Sequence, residues 1–198
     1  IENILPSALI RQSAAEDCPA DMPQDGFIRL LSIGRYCEAK NFDNVPDICR
    51  RIRQTGLNVK WYLIGFGGDE GLIRSKITEA GMEDHVIMLG KRDDPYPYIA
   101  HCDLYVQPSR YEGNSVTVHE AQGVAKPVAI TRYATSASQL TDSFDGIIVP
   151  MDNEGCAAGI AALLRNPEKM KMISDNCRNG DYANTCQAET LMELVENG

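Results

Sequence analysis

From Phe27 onward the chain alternates between two apolar patterns. Short runs rich in β-branched and aromatic residues occur at Phe27 to Ile33 (FIRLLSI), Val59 to Ile64 (VKWYLI), His85 to Leu89 (HVIML), Leu104 to Val106 (LYV), Pro127 to Ile130 (PVAI) and Ile147 to Val149 (IIV). Such near-continuous runs predict strands buried on both faces. Between them, Val45 to Gln54, Glu70 to Ala80, Tyr98 to Cys102, Ser115 to Val124 and Ser136 to Leu140 carry apolar residues at helical spacing. The alternation predicts an α/β fold, a parallel sheet of about six strands with helices on both faces. After Val149, the segments Glu154 to Leu164, Glu168 to Tyr182 and Ala188 to Glu196 read as consecutive helices forming a C-terminal cap. Ahead of the first run, RQSAAEDCPADMPQDG (residues 11–26) is polar and holds two prolines. Residues 1–26 therefore read as an interdomain linker or surface loop, in which Ile4, Leu5, Leu9 and Ile10 are the docking residues, and 27–198 as one domain.

Charge narrows the range of ligands. Across 198 residues, 19 Lys plus Arg stand against 28 Asp plus Glu, a net charge of −9. Binding to a nucleic-acid backbone or an anionic membrane needs clustered cations, so an anionic ligand must be held by a local site. No apolar run approaches the ~20 residues of a membrane span, and IENILPSALIRQ lacks the profile of a signal peptide, which predicts a cytoplasmic protein. The chain opens at Ile1 without an initiator Met, so a piece of a longer protein is expected. The seven cysteines (Cys18, Cys37, Cys49, Cys102, Cys156, Cys177, Cys186) form no CxxC pair and read as reduced thiols.

In open parallel sheets, ligands bind beyond the carboxyl ends of the strands. The turns there are Gly34-Arg35, Gly65 to Gly68, Gly90 to Arg92, Gln107 to Ser115 and Thr131 to Ser136. GFGGDEG is not a dinucleotide fingerprint, because its sixth position is Glu70, a carboxylate that would face a pyrophosphate. Its glycines allow either a tight turn or close approach to a ligand. The stretch QPSRYEGNSVTVHEAQG is the most informative. Asn114 or Ser115 can cap the helix that follows, leaving the amides of Gly113, Asn114 and Ser115 and the positive end of the helix dipole as an anion site. Glu120 lies about 7.5 Å further along the helix axis, roughly the reach from a phosphate to the ribose of the same nucleotide, and a carboxylate accepts from two vicinal hydroxyls. Glu112 would sit beside the phosphates, where it needs sugar hydroxyls or a developing positive charge as its partner. After the first strand, Arg35 and Lys40 in GRYCEAKNFD could neutralise a diphosphate leaving group without a metal. Asp93-Asp94 reads as a helix-start feature, and no metal site stands out. His85, His101 and His119 are scattered, no GxSxG occurs, and Trp61 reads as core.

Gly34-Arg35 with Lys40, the glycine turn Gly65 to Gly68, HVIMLG at His85 to Gly90, Glu112-Gly113-Asn114-Ser115 with Glu120-Ala121, and Asp145 to Val149 resemble, in this order, the C-terminal half of retaining glycosyltransferases of family 4. The resemblance runs from about residue 27 to 165. It implies the two-domain glycosyltransferase B (GT-B) architecture, whose C-terminal Rossmann-like domain binds a nucleoside-diphosphate sugar, with UDP the default base. It further implies that Arg35 and Lys40 bind the diphosphate, Glu120 the ribose and Glu112 the transferred sugar. The backbone at Gly90 and Lys91 would hold the base, the amides of Asn114 and Ser115 a phosphate, with Gly34, Gly65, Gly67 and Gly113 completing the donor side. No cofactor or metal is implied. The EGNS form resembles members that build bacterial surface polysaccharides, with glycan or lipid-linked acceptors. An N-terminal acceptor domain would be missing, and with it the route to activity and to association with the inner face of the membrane. Departures are Asn41 where Gly often follows the Lys, Asn114 where an aromatic is usual, and YATSAS at Tyr133 to Ser138 in place of a glycine-rich turn. A nucleotide-sugar epimerase or sugar phosphorylase of the same fold, and a non-catalytic interaction module, remain as alternatives.

Overall fold

The computed structural model describes residues 16–180 and 182. Thirteen elements alternate through it: β1 (Ile28–Ile33), α1 (Val45–Gln54), β2 (Val59–Ile64), α2 (Glu70–Ala80), β3 (Val86–Gly90), α3 (Tyr96–His101), β4 (Leu104–Gln107), α4 (Val116–Gly123), β5 (Val128–Thr131), α5 (Ser136–Gln139), β6 (Ile147–Val149), α6 (Asn153–Leu164) and α7 (Pro167–Asn179). The strands form one parallel sheet in the order β3-β2-β1-β4-β5-β6, the expected Rossmann-like fold.

Alternation within the strands places residues on two faces. Leu30, Trp61, Leu63 and Val106 point to one face, where Ile48 and Ile52 of α1, Ile73 and Ile77 of α2, and Ile160 of α6 cover them. Leu31, Tyr62, Ile64, Tyr105 and Ile130 point to the other, under Ile99 of α3 and Val118 and Ala121 of α4. Trp61 is fully buried. Its indole donates to Ser32 Oγ at 2.9 Å, and Ser32 donates to the Val106 carbonyl at 2.6 Å, so β2, β1 and β4 are also tied through side chains.

Some boundaries move, each for a local reason. β3 runs to Gly90, whose φ of +72° then turns the chain. Helix α3 begins at Tyr96, since Pro97 suits a first turn and Asp94 Oδ1 accepts from the Tyr96 amide at 3.0 Å. α6 and α7 each start one residue early, because Asp152 and Asn166 cap them by accepting from Gly155 and Lys169 at 2.7 and 2.9 Å. α7 stops at Asn179 rather than Tyr182. These two helices are less a cap than a continuation of the helical layer, for Ile160, Ile173 and Cys177 share one core with α1. The expected helix at 188–196 and the early apolar residues Ile4 to Ile10 lie outside the described residues.

Where it is described, the polar stretch before β1 packs against the domain. Met22 is 0% exposed, and Asp21 accepts from Tyr98 Oη at 2.9 Å and from Arg92 at 2.5 Å. With Glu16 O 2.9 Å from His101 Nε2 and Asp25 paired to Lys60 at 2.6 Å, residues 16–26 are held against the domain by scattered contacts, a feature too sparse to register as periodicity.

From β1 the chain winds outward through β2 to β3, then returns to the centre and winds the other way through β4 to β6. The two loops leaving the carboxyl ends of β1 and β4 therefore depart from adjacent strands in opposite directions. The crevice between them is the place where a sheet of this order accepts a ligand.

Candidate functional site

The β1 loop is held by the one that follows β2. A Cβ on Gly65 (φ +150°) would lie 1.9 Å from the Gly34 carbonyl oxygen, and one on Gly67 (φ +156°) 2.3 Å from that of Tyr36. Both positions admit only glycine. The close approach these glycines allow is to a neighbouring backbone, which the Tyr36 amide cements by donating to Phe66 O at 2.8 Å and the Gly65 amide by donating to Gly90 O at 3.0 Å. Further along, Glu38–Lys40 forms a 3-10 turn closed by Asn41 in the left-handed conformation (φ 59°). That position explains the departure noted above: the backbone wants glycine, asparagine tolerates it, and the Asn41 amide additionally donates to Pro108 O at 2.9 Å.

Turn and β4 loop are locked face to face. Arg110 grips Asp43 with both terminal nitrogens at 2.9 and 2.8 Å, donates to Glu38 O at 2.6 Å, and gives its amide to Ala39 O at 2.8 Å. The consequence is that Lys40, whose stem packs over Gly34, meets Glu112 in a direct ion pair with the two side chains only 19% and 11% exposed. Glu112 Oε1 also accepts from Ser109 Oγ at 2.8 Å and Gln107 Nε2 at 3.0 Å, and its carbonyl accepts from Thr135 at 2.7 Å. The anion expected to be costly in this loop is thus compensated by a cation and two neutral donors. Arg35, by contrast, is exposed and makes no hydrogen bond or ion pair among the described residues.

At the start of α4 one expectation fails. The Ser115 amide is not free to meet a phosphate, because it donates to Gln139 Oε1 at 2.6 Å, and Gln139 Nε2 donates back to Ser115 O at 3.3 Å. A buried side chain from α5 supplies the cap, while Ser115 and Asn114 provide none; Asn114 Oδ1 instead lies 3.0 Å from His119 Nε2. The amides of Gly113 and Asn114 take no partner among the described residues.

Glu120 is 9% exposed, and Tyr96 Oη donates to its Oε1 at 3.0 Å. Burial holds its carboxyl above the ordinary glutamate value, against the opposing effect of the Tyr96 hydrogen bond. Lys91 turns outward to an exposed pair with Asp93 at 3.0 Å. Tyr133, in the YATSAS turn, buries its hydroxyl without a partner among the described residues. The fold therefore brings together Gly34, Lys40 and Glu112 directly, and Gly65, Gly67 and Gly90 through the backbone. Arg110, Gln139 and Tyr96 were not recognisable as site residues from sequence, since each acts through a contact with a distant segment, and Gln107, whose side-chain partners lie within five residues, reads as one more strand position. His101 lies at the periphery, 2.9 Å from Glu16 O, and His119 sits at the α4 start, its Nε2 3.0 Å from Asn114 Oδ1 and 2.9 Å from Gln139 Nε2. The six described cysteines are free thiols. Among the described residues no cluster of His, Cys, Asp or Glu is placed to hold a metal, and no helix is long and apolar enough to cross a membrane.

Residues 21–180 match the family model described as glycosyl transferases group 1. The lipopolysaccharide core biosynthesis glycosyltransferase LpsE of Rhizobium meliloti is 30% identical over 185 residues, covering 90% of this chain and 51% of that protein. The N-acetylgalactosamine-N,N'-diacetylbacillosaminyl-diphospho-undecaprenol 4-alpha-N-acetylgalactosaminyltransferase of Campylobacter jejuni is 28% identical over 172 residues, 85% of this chain and 45% of that one. Among solved structures, HepE of Anabaena in complex with UDP and glucose has a TM-score of 0.76 at 21% identity, covering 94% of this chain and 51% of that one, a likeness of fold. The chain spans about half the length of these proteins.

Proposed function

Because the chain belongs to the glycosyl transferases group 1 family, we propose that it is the C-terminal donor-binding domain of a retaining family-4 glycosyltransferase that serves bacterial surface polysaccharide biosynthesis. In this reading the donor is a nucleoside-diphosphate sugar with UDP as the base, and the acceptor is a glycan or lipid-linked glycan. The names of the relatives from Rhizobium and Campylobacter support that substrate class. The reaction breaks the bond between the anomeric carbon and the diphosphate, forms one to an acceptor hydroxyl on the same face, and sends the hydroxyl proton to the departing diphosphate. Arg35 and Lys40 supply the countercharge to that leaving group, with the start of α4 contributing the Gly113 and Asn114 amides. Glu112 faces the sugar, and Glu120 accepts from the ribose hydroxyls. Gly90 and Lys91 offer backbone to the base. The acceptor side belongs to a partner domain of the same enzyme, acting at the cytoplasmic face of the membrane.

The observation that carries this reading is the pair of cations at the crevice in a chain of net charge −9. One, Arg35, is exposed and unpaired among the described residues, and the other is held by a carboxylate next to it in the same crevice. Titration calorimetry with UDP, GDP and ADP tests it, on the wild type and on Glu120→Ala. One nucleotide is expected to bind, with affinity falling at least tenfold in the variant. Absence of binding by all three to a chain with an intact circular dichroism spectrum, or equal binding by the variant, would overturn the site.

A further inference from the structure

Beneath the crevice lies a buried row of polar side chains that the fold alone does not need. Tyr105, Gln107 and Ser109 alternate along β4 and the start of its loop, all on one side, and each is 0% exposed. Glu112 Oε1 accepts from Gln107 Nε2 and Ser109 Oγ. Since a carboxylate only accepts, the amide nitrogen of Gln107 must face it, and its second hydrogen goes to Ser109 Oγ at 2.8 Å. The amide oxygen of Gln107 then faces Tyr105 Oη at 2.8 Å and can only accept, so the Tyr105 proton is committed to it. Thr117 Oγ1, 2.7 Å from the same phenol oxygen, must therefore be the donor there, and Ser115 Oγ, 3.2 Å from Thr117, the donor to Thr117. Each proton is directed by the one before it. The row runs from the start of α4, through Tyr105 and Gln107, to the carboxylate that pairs with Lys40.

We infer that Gln107 is a positioning residue for the donor sugar: it fixes the Glu112 carboxylate with Oε1 turned inward, leaving Oε2 to the sugar. The inference rests on the donor-binding reading and adds to it a residue that touches neither substrate nor leaving group. Oε2 takes no hydrogen bond among the described residues. Each end of the Gln107 amide has a single permitted role, so a side chain of equal volume without the amide keeps the packing but removes one of the three groups that hold Oε1, beside Lys40 and Ser109, and loosens the carboxylate.

The test compares affinities of the whole chain for UDP and for UDP-glucose, UDP-galactose and UDP-N-acetylglucosamine by calorimetry. Wild type is expected to bind one of the sugar nucleotides at least fivefold more tightly than UDP. Gln107→Met should keep its UDP affinity within twofold and lose that preference. A merely structural role would lower both affinities together or neither, and either result overturns the inference. Failure of wild type to bind any of the four would overturn the donor site itself. Binding of UDP with no preference for any sugar form would overturn only the placement of Glu112 at the sugar, and the inference with it. Should Gln107→Met not fold, Gln107→Glu serves instead. A protonated carboxyl there can donate to Glu112 as the amide does, and an ionised one cannot. The titratable groups around Glu112 are Lys40, Tyr105 and Tyr133. The sugar preference of Gln107→Glu should then be present at low pH and vanish as pH rises, while the wild-type preference stays level. A preference independent of pH in that variant refutes the mechanism.

Discussion

Gly65→Ala is the perturbation whose size the structure sets most directly. The new Cβ would sit 1.9 Å from the Gly34 carbonyl oxygen and 3.1 Å from the Tyr36 ring, at a backbone φ of +150°. Holding an L residue in that conformation costs about 1–3 kcal/mol. The oxygen is main chain, so relief requires the β1 loop to withdraw by about 1.5 Å or more, to an ordinary contact distance. That withdrawal strains two hydrogen bonds, Gly34 N to Ile64 O and Gly65 N to Gly90 O, both 3.0 Å, each contributing about 0.5–1.5 kcal/mol. The sum is about 4 kcal/mol. In urea denaturation followed by tryptophan fluorescence, with a slope of about 2 kcal/mol per molar, the midpoint should fall by about 2 M. Gly68→Ala, where an added Cβ meets nothing within 4 Å, should change stability by no more than about 0.5 kcal/mol. The two glycines are three residues apart in one motif, which makes the contrast the informative quantity. Equal midpoints for the two variants would refute the claim that the glycine turn exists to admit the β1 loop, and with it the account of how Arg35 and Lys40 are placed.

Arg110→Ala should cost about 1–2 kcal/mol, between an exposed and a buried charged interaction, and should weaken nucleotide binding through the freed Lys40 turn; unchanged stability in the same urea assay would show that the Asp43 grip is idle. Glu120 has its carboxyl raised by burial, so its native state favours the protonated form. The sign follows: its ionisation penalises folding increasingly as pH rises from the unfolded value through the raised native one, and Glu120→Gln should be the more stable protein at neutral pH. Ribose binding needs the ionised form, so UDP affinity should rise with pH over the same interval in wild type and stay flat in Glu120→Gln. Burial pushes the thiols of Cys49, Cys102 and Cys156 up to about 12. Iodoacetamide at pH 8 should therefore label Cys18 and Cys37 in the native protein and reach those three only after denaturation, as read by peptide mass mapping.

Hydrophobic periodicity was enough to locate all six strands and to predict their parallel arrangement, because a strand covered on both faces must be apolar at nearly every position and its neighbour helices must show a 3.6-residue period. The proposed site residues Arg35, Lys40 and Glu112 stand out in the sequence because they follow strand ends, and Glu120 because it lies five residues into the helix after β4. The docking of Met22 and Asp21 on α3 escaped periodicity, one buried side chain making no pattern. The Gln139 cap on Ser115 joins positions 24 residues apart, and the Arg110 grip on Asp43 joins positions 67 apart. Spacing along the chain carries no record of such pairs. The Lys40–Glu112 ion pair depends on β1 and β4 being neighbours, which strand order decides and element order does not, whereas the Gln107 row beneath it joins residues of β4, its own loop and the start of α4. The chemistry of the residues was written in the sequence; which of them face one another was settled only when the sheet closed its centre.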